Sequence, residues 1–225
     1  MTAPENNLTN NSRMLNRIFE AKRVMFISAH PDDIEFYCGA LVYMLRQRGI
    51  EIIFAIATRG GKGRAGKAKE RLERLRSQHA LDAAEILGGA NVVLHDYPDK
   101  NLSEHIVQFA DDLKSLIAKE EPDIIFSWDP DFIYNPHPDH RAAAESGRIA
   151  ADKRKICNYG TREPNFWFGF DEDIFNVNLK SLRAHRTETP WYYYPLVKRI
   201  LTKRLVTAGS KTGSKYAEVF RCVGW

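Results

Sequence analysis

The sequence predicts a Rossmann-like α/β sandwich, with a mostly parallel sheet, helices on both faces and a C-terminal α+β extension. Three observations point there. Short apolar, β-branched runs alternate with amphipathic segments, glycines close those segments, and the chemically unusual residues follow the ends of apolar runs. Parallel strands need long right-handed crossovers, which the intervening helices supply. A chain of 225 residues, 44% of them hydrophobic, is long enough to bury one core. It reads as a polar extension over residues 1–22 followed by one domain over 23–225.

Taken in order, residues 1–13 are polar and Asn-rich, a loop-like tail without the apolar run of a signal peptide. Residues 23–29 form a short apolar strand. Residues 34–48 carry helical spacing at Ile34, Leu41, Met44 and Leu45 and stop at Gly49. Residues 51–57 are a β-branched strand, and 69–87 a charged amphipathic helix closed by Gly88 and Gly89. A strand at 92–95, a helix over 104–119 and a strand at 123–127 complete the series. Further on, 166–170 and 174–177 read as strands, 179–185 as a helix, 207–214 as a Gly/Ser/Thr/Lys loop and 216–223 as a final strand.

The net charge of +4 is spread over 33 basic and 29 acidic residues, so nucleic acid is not expected as a partner. The cysteines, Cys38, Cys157 and Cys222, are odd in number and lack CxxC spacing, which suggests neither a disulfide scaffold nor a zinc knuckle. With no stretch as long as a membrane span, a soluble cytoplasmic protein is the expectation.

In sheets of this kind ligands gather beyond the carboxyl ends of the strands. Directly after the first strand stands Ala29-His30-Pro31-Asp32-Asp33-Ile34-Glu35, an imidazole and three carboxylates within six positions. Such crowding raises carboxylate pKa values unless a divalent cation holds the groups ionised. After the fourth strand comes a second cluster, Pro136-His137-Pro138-Asp139-His140. Each offers side chains three residues apart, which point the same way at the start of a helix. His30, Asp33 and one histidine of the second cluster make two nitrogens and one oxygen, the donor set of catalytic zinc. Asp32 and Asp33 also suit the N-cap of the following helix.

At these residues the chain resembles the LmbE-like, or PIG-L-type, N-acetylglucosaminyl deacetylases, whose hallmarks are AHPDDxE after the first strand and HPDH later. The resemblance extends through Thr58-Arg59-Gly60, Arg76, Tyr97-Pro98-Asp99, Ala184-His185-Arg186 and residues 216–221, most of the chain after Arg23. It implies that His30, Asp33 and His140 hold zinc, that Asp32 is the general base and that His137 assists the oxyanion or leaving group. Arg59, Arg76, Asp99, Tyr134 and His185 are the candidate substrate-binding residues, with Asp99 also suited to orienting a zinc-bound histidine. His79 and the Tyr37-Cys38 pair depart from the family pattern, which bears on the substrate more than on the chemistry.

Zinc would generate a nucleophile and polarise the amide carbonyl, Asp32 would take the proton, and zinc with a protonated His137 would stabilise the oxyanion. The expected substrate is a small N-acetylated amino sugar. Seven basic residues between Lys62 and Arg76 face two acidic ones. They read as a solvated helix face or, through Arg59, Lys62, Arg64 or Arg76, as a contact to a phosphate on the substrate. Residues 191–204 mix aromatics with cations, as an aromatic wall of a sugar site, a contact in a homo-oligomer or a membrane-facing helix would. The alternatives are an amidase for a larger acyl group and a nucleotide-binding module; Gly60-Gly61-Lys62-Gly63 lacks the spacing of a nucleotide loop.

Overall fold

Strands with apolar residues on both faces need a sheet covered twice, and the chain builds one. The computed structural model describes residues 3–63, 68–152 and 154–225. Its strands are β1 (Arg23–Ser28), β2 (Glu51–Ile56), β3 (Asn91–Leu94), β4 (Ile124–Trp128), β5 (Ile156–Tyr159), β6 (Phe166–Phe170) and β7 (Tyr216–Val223). They form one sheet in the order β3-β2-β1-β4-β5-β7-β6. The first five run parallel, and β7 is inserted antiparallel to both β5 and β6. The helices are α1 (Ala3–Phe19), α2 (Asp33–Gln47), α3 (Lys69–Ile86), α4 (Ile106–Glu120), α5 (Pro138–Ala151), α6 (Glu172–Ala184) and α7 (Tyr194–Gly209).

From β1 the connections through α2 and α3 step one way across the sheet, and those through α4 and α5 step the other. Right-handed crossovers therefore place the two helix pairs on opposite faces. In accord, α4 packs on α5, whereas α2 and α3 both pack on α6. The core between the layers is aromatic at its centre: Phe26 and Phe126 stack at 4.7 Å, and Trp128 and Tyr159 are fully buried. The strand order reverses between β1 and β4, and the crevice at such a reversal is where open α/β sheets bind ligands.

Four expectations are corrected. The tail is not a loop: α1 covers most of it, with Met14 and Ile18, one helical turn apart, in the core. Residues 174–177 belong to α6, because Asp171 caps the helix by accepting the Ile174 N–H at 3.1 Å. Residues 207–209 are the last turn of α7, so the loop begins only after Gly209. Finally, Cys157 and Cys222 form a disulfide, since the antiparallel register sets them directly opposite each other on β5 and β7.

The C-terminal extension grips α2. Glu218 on β7 accepts the backbone N–H groups of Ala40 (2.8 Å) and Leu41 (2.9 Å), Asn178 on α6 donates to the Glu35 carbonyl at 2.8 Å, and Arg204 on α7 donates to the Phe36 carbonyl. At the far edge, Asn11 on α1 accepts the N–H of Trp167 at 2.7 Å and donates to its carbonyl at 2.9 Å. Among the described residues no helix is long and apolar enough to cross a membrane.

Candidate active site

The two histidine motifs meet at the β1/β4 reversal. Asp33 opens α2, and its Oδ2 accepts the backbone N–H groups of Ala29 (3.1 Å) and His30 (2.8 Å) and the indole N–H of Trp128 (3.3 Å). That leaves Oδ1 3.3 Å from His140 Nε2. His140 lies in the first turn of α5, which starts at Pro138 with His137 Nδ1 accepting the Asp139 N–H at 3.2 Å as its cap. His30 Nδ1 sits 3.3 Å from His140 Nε2 and 3.7 Å from Asp33 Oδ2. Ligands about 2.0–2.1 Å from a tetrahedral zinc stand roughly 3.3–3.4 Å apart, which is the separation of His140 Nε2 from both His30 Nδ1 and Asp33 Oδ1, and the ring nitrogens of His30, His137 and His140 also come close enough together to hold an ion.

The other nitrogen of His30 settles its tautomer. Nε2 lies 3.2 Å from Asp139 Oδ2 and 3.4 Å from Asp99 Oδ1, so it carries the proton and turns the Nδ1 lone pair to the centre. Both carboxylates are held in turn. Asp139 accepts the N–H groups of Lys100 (2.6 Å) and Leu102 (3.1 Å), and Asp99 that of Lys62 (2.7 Å). Without a cation at the centre His30 would also hold a proton on Nδ1: burial alone would depress the imidazole, but its hydrogen bonds to Asp139 and Asp99 and the charge of Asp33 push it up to about 10, and a bound ion would displace that proton. Burial likewise opposes ionisation of Asp33 and Asp99, yet the imidazoles of His140 and His30 hold Asp33 below the usual carboxylate range, and His30 and the Lys62 N–H bring Asp99 to about 2. This packing of negative charge against imidazole is what a divalent cation would complete.

Asp32 occupies the N-cap position of α2 but makes no capping bond. Its Oδ1 lies 2.8 Å from Arg76 Nη2, and Arg76 Nη1 is 3.4 Å from Glu188 Oε1 and 3.3 Å from the Gly60 carbonyl. Gly60 adopts φ +66°, and a Cβ there would stand 2.4 Å from the Arg76 guanidinium carbon. His30, Asp32, Asp33, Arg76, Asp99, His137 and His140 line one cavity of about 680 Å³. His137 is held below the ordinary histidine range by burial and by the neighbouring His30 and His140.

The structure separates three expected residues from this cavity. Arg59 turns away, pairing with Asp96 and donating to Ser77 Oγ at 3.1 Å. His185 is buried, its Nε2 3.2 Å from Glu35 Oε2, because the C-cap of α6 points it beneath α2 instead of into the cleft. Tyr134, 62% exposed, borders a second cavity. Arg76 lines the cleft, but Asp32 and Glu188 occupy its guanidinium, so it is no open phosphate contact. Arg64 lies outside the described residues. On the loop into α7, Tyr193 lines the cleft while Trp191 and Tyr192 face outward.

Three functional residues carry no role in the sequence reading. Asp139 had a signal, its place inside the HPDH motif. Trp128 had none: it reads as the end of a buried strand, yet it stacks on His140 at 3.9 Å and 14° while bonding Asp33. Gly160 (φ +65°) makes room for it, since a Cβ there would come within 2.5 Å of the indole. Glu188 is joined to Arg76 across more than a hundred residues of chain.

A buried group of two imidazoles and a carboxylate at metal-ligand spacing, beside a carboxylate outside the group, makes this a metal-binding hydrolase on a Rossmann-like sheet. The comparisons narrow the class. The GlcNAc-PI de-N-acetylase family (PIG-L) matches residues 25–151, and the chain belongs to that family. The diacetylchitobiose deacetylase of Thermococcus kodakarensis is 27% identical, over 91% of this chain and 84% of its own. A 1D-myo-inositol 2-acetamido-2-deoxy-alpha-D-glucopyranoside deacetylase of Corynebacterium glutamicum is 27% identical over 78% of each chain. The solved N,N'-diacetylchitobiose deacetylase of Pyrococcus horikoshii superposes with a TM-score of 0.85 at 25% identity, covering 99% of this chain and 93% of that one. The reaction class is thus hydrolytic N-deacetylation.

Proposed function

We propose that the chain removes the acetyl group from an N-acetylglucosamine-type amino sugar or its conjugate, with zinc held by His30 Nδ1, Asp33 and His140 Nε2. The observation that carries this reading is that His140 Nε2 lies 3.3 Å from both His30 Nδ1 and Asp33 Oδ1, with Asp32 left outside them on the same cavity wall. Bound there, zinc would lower the pKa of a water towards about 7 and polarise the amide carbonyl.

Asp32 receives the proton of the attacking water. Its Oδ1 is held by Arg76, so Oδ2 is the accepting oxygen, and Arg76 acts as the residue that orients the base. His137 uses Nδ1 as an acceptor for the Asp139 N–H, so its proton sits on Nε2. It therefore meets the developing oxyanion as a neutral N–H donor, in place of the protonated imidazole the sequence suggests. Asp32 then passes its proton to the leaving nitrogen, and acetate and the free amine depart. Asp99 and Asp139 keep the His30 ring fixed throughout. Acetate release from N-acetylglucosamine and diacetylchitobiose, before and after chelation and with zinc restored, tests the reading; a rate indifferent to chelator would overturn it.

A further inference from the structure

Apolar side chains that stand well out into solvent are not scattered over this molecule. Among the described residues, half of the large ones fall on one short stretch: Trp191 and Tyr192 in the turn before α7, and Leu196, Ile200 and Val206 along it. Trp191 is 83% and Tyr192 70% exposed. Helix α7 buries only the stripe Val197, Leu201, Leu205 and Gly209, so Leu196, Arg199, Ile200 and Lys203 share its outer side. A contiguous apolar surface of this kind marks a place of contact. Through Tyr193 and Val197 the same stretch lines the catalytic cleft, which makes this face the outer side of a cleft wall.

Charge decides what can cover it. Between Glu188 and Glu218 the chain has six lysines and arginines and no acid. Both flanking acids turn inward, Glu188 onto Arg76 and Glu218 onto the Ala40 and Leu41 N–H groups. Lys215 pairs with Glu172 and Arg204 packs on Phe36 and Tyr37, whereas Arg199, Lys203 and Lys211 are exposed and in no ion pair among the described residues. In the groove beside Trp191, Asp82 and Glu85 are outnumbered by Lys180, Arg183 and Arg186. A second copy set on this face about a two-fold axis would bring Arg199 and Lys203 up to their own counterparts, and like charges meeting across a contact oppose it. The headgroup layer of an anionic bilayer has the opposite sign and also takes such side chains. Trp and Tyr rings rest at its boundary, aliphatic groups reach the acyl region, and Lys and Arg extend to the phosphates. We propose that the Trp191–Tyr192 turn and the outer face of α7 dock peripherally on membranes that contain anionic phospholipid. This surface is independent of the reaction performed in the cleft.

Flotation of the full chain tests this, with vesicles of phosphatidylcholine alone and of phosphatidylcholine mixed equally with phosphatidylserine. The mixed vesicles should carry the protein, the neutral ones should not, and added salt should release it. Each basic residue near such a surface contributes about fivefold in partitioning, so Arg199→Gln with Lys203→Gln should weaken binding about 25-fold. Trp191→Ala should weaken it roughly tenfold. Lys114→Gln with Lys119→Gln, the same change of net charge on exposed α4, should leave it unaltered. The emission of the wild-type chain should move to the blue on mixed vesicles, a shift missing from Trp191→Phe. Circular dichroism melts check that each variant is folded. No binding to mixed vesicles, binding indifferent to phosphatidylserine, or binding that survives these substitutions in folded protein overturns the proposal. So does a stable oligomer in solution that Leu196→Glu takes apart, which would assign the face to a second copy of the chain.

Discussion

The parallel half of the sheet and the C-terminal extension contribute to the site in different currencies. Strands β1 and β4 deliver side chains: His30, Asp33, Asp32, His137 and His140 all stand on loops or first helical turns beyond them. The extension delivers none of these donors. Glu218, Asn178 and Arg204 reach across to the backbone of α2, the helix whose first turn carries Asp33. One region thus sets the chemistry, and the other sets where the helix bearing it sits. Changes in the first should alter turnover at little cost in stability, and changes in the second the reverse.

The largest effects are expected at the donors. His140→Ala and Asp33→Ala should lose both bound metal and activity, read by metal analysis of the purified protein beside acetate release. Asp32→Asn sharpens the contrast: it should retain metal while kcat falls about 100- to 10,000-fold, the usual contribution of a general base. Near-normal turnover in that variant would remove Asp32 from its role. A step below lies Asp139→Asn, which releases the His30 ring and should weaken metal affinity by about 10- to 100-fold, measured by competition with a chelator.

Across the divide, Asn178→Ala should cost about 0.5–1.5 kcal/mol of unfolding free energy, because the Glu35 carbonyl loses its side-chain donor. Metal content should not change; a drop in metal without a drop in stability would erase the distinction between the two regions. The smallest effect is a pH dependence. Burial pushes Glu218 up to about 8, outweighing the Ala40 and Leu41 N–H groups and Arg204 that favour its ionised form. An exposed glutamate titrates near 4.3, so between about 4.3 and 8 the folded chain keeps a proton the unfolded chain has released. Stability from this group therefore falls as pH rises through that window. Glu218→Gln, fixed in the neutral state, should gain on the parent from pH 4.5 to 8 and level off above, as followed by urea midpoints; a constant difference would disprove it.

The same division explains what could be read from the sequence. The motifs around His30 and His140 are legible because metal donors must be of few residue types at short spacings, and β1 to β4 because buried parallel strands are continuous apolar runs. Trp128 and Glu188 were hidden because their roles depend on partners far along the chain, His140 and Arg76, that only the fold brings near. The segment 174–177 misled because Ile174 and Val177 are β-branched, a local preference overruled by the Asp171 cap and by packing of α6 against α2. His185 followed the family motif faithfully, yet its imidazole meets Glu35 behind the cleft wall.

The single Asn11 side chain that pairs with both main-chain groups of Trp167 has a colloidal consequence. β6 ends the sheet, and an uncovered outer strand is a template on which a second chain can lay its own backbone. By spending one amide on that strand, α1 behaves as a guard against sticking between molecules. Deleting residues 1–20 is expected to leave the catalytic motifs in place and to produce light scattering that grows with protein concentration.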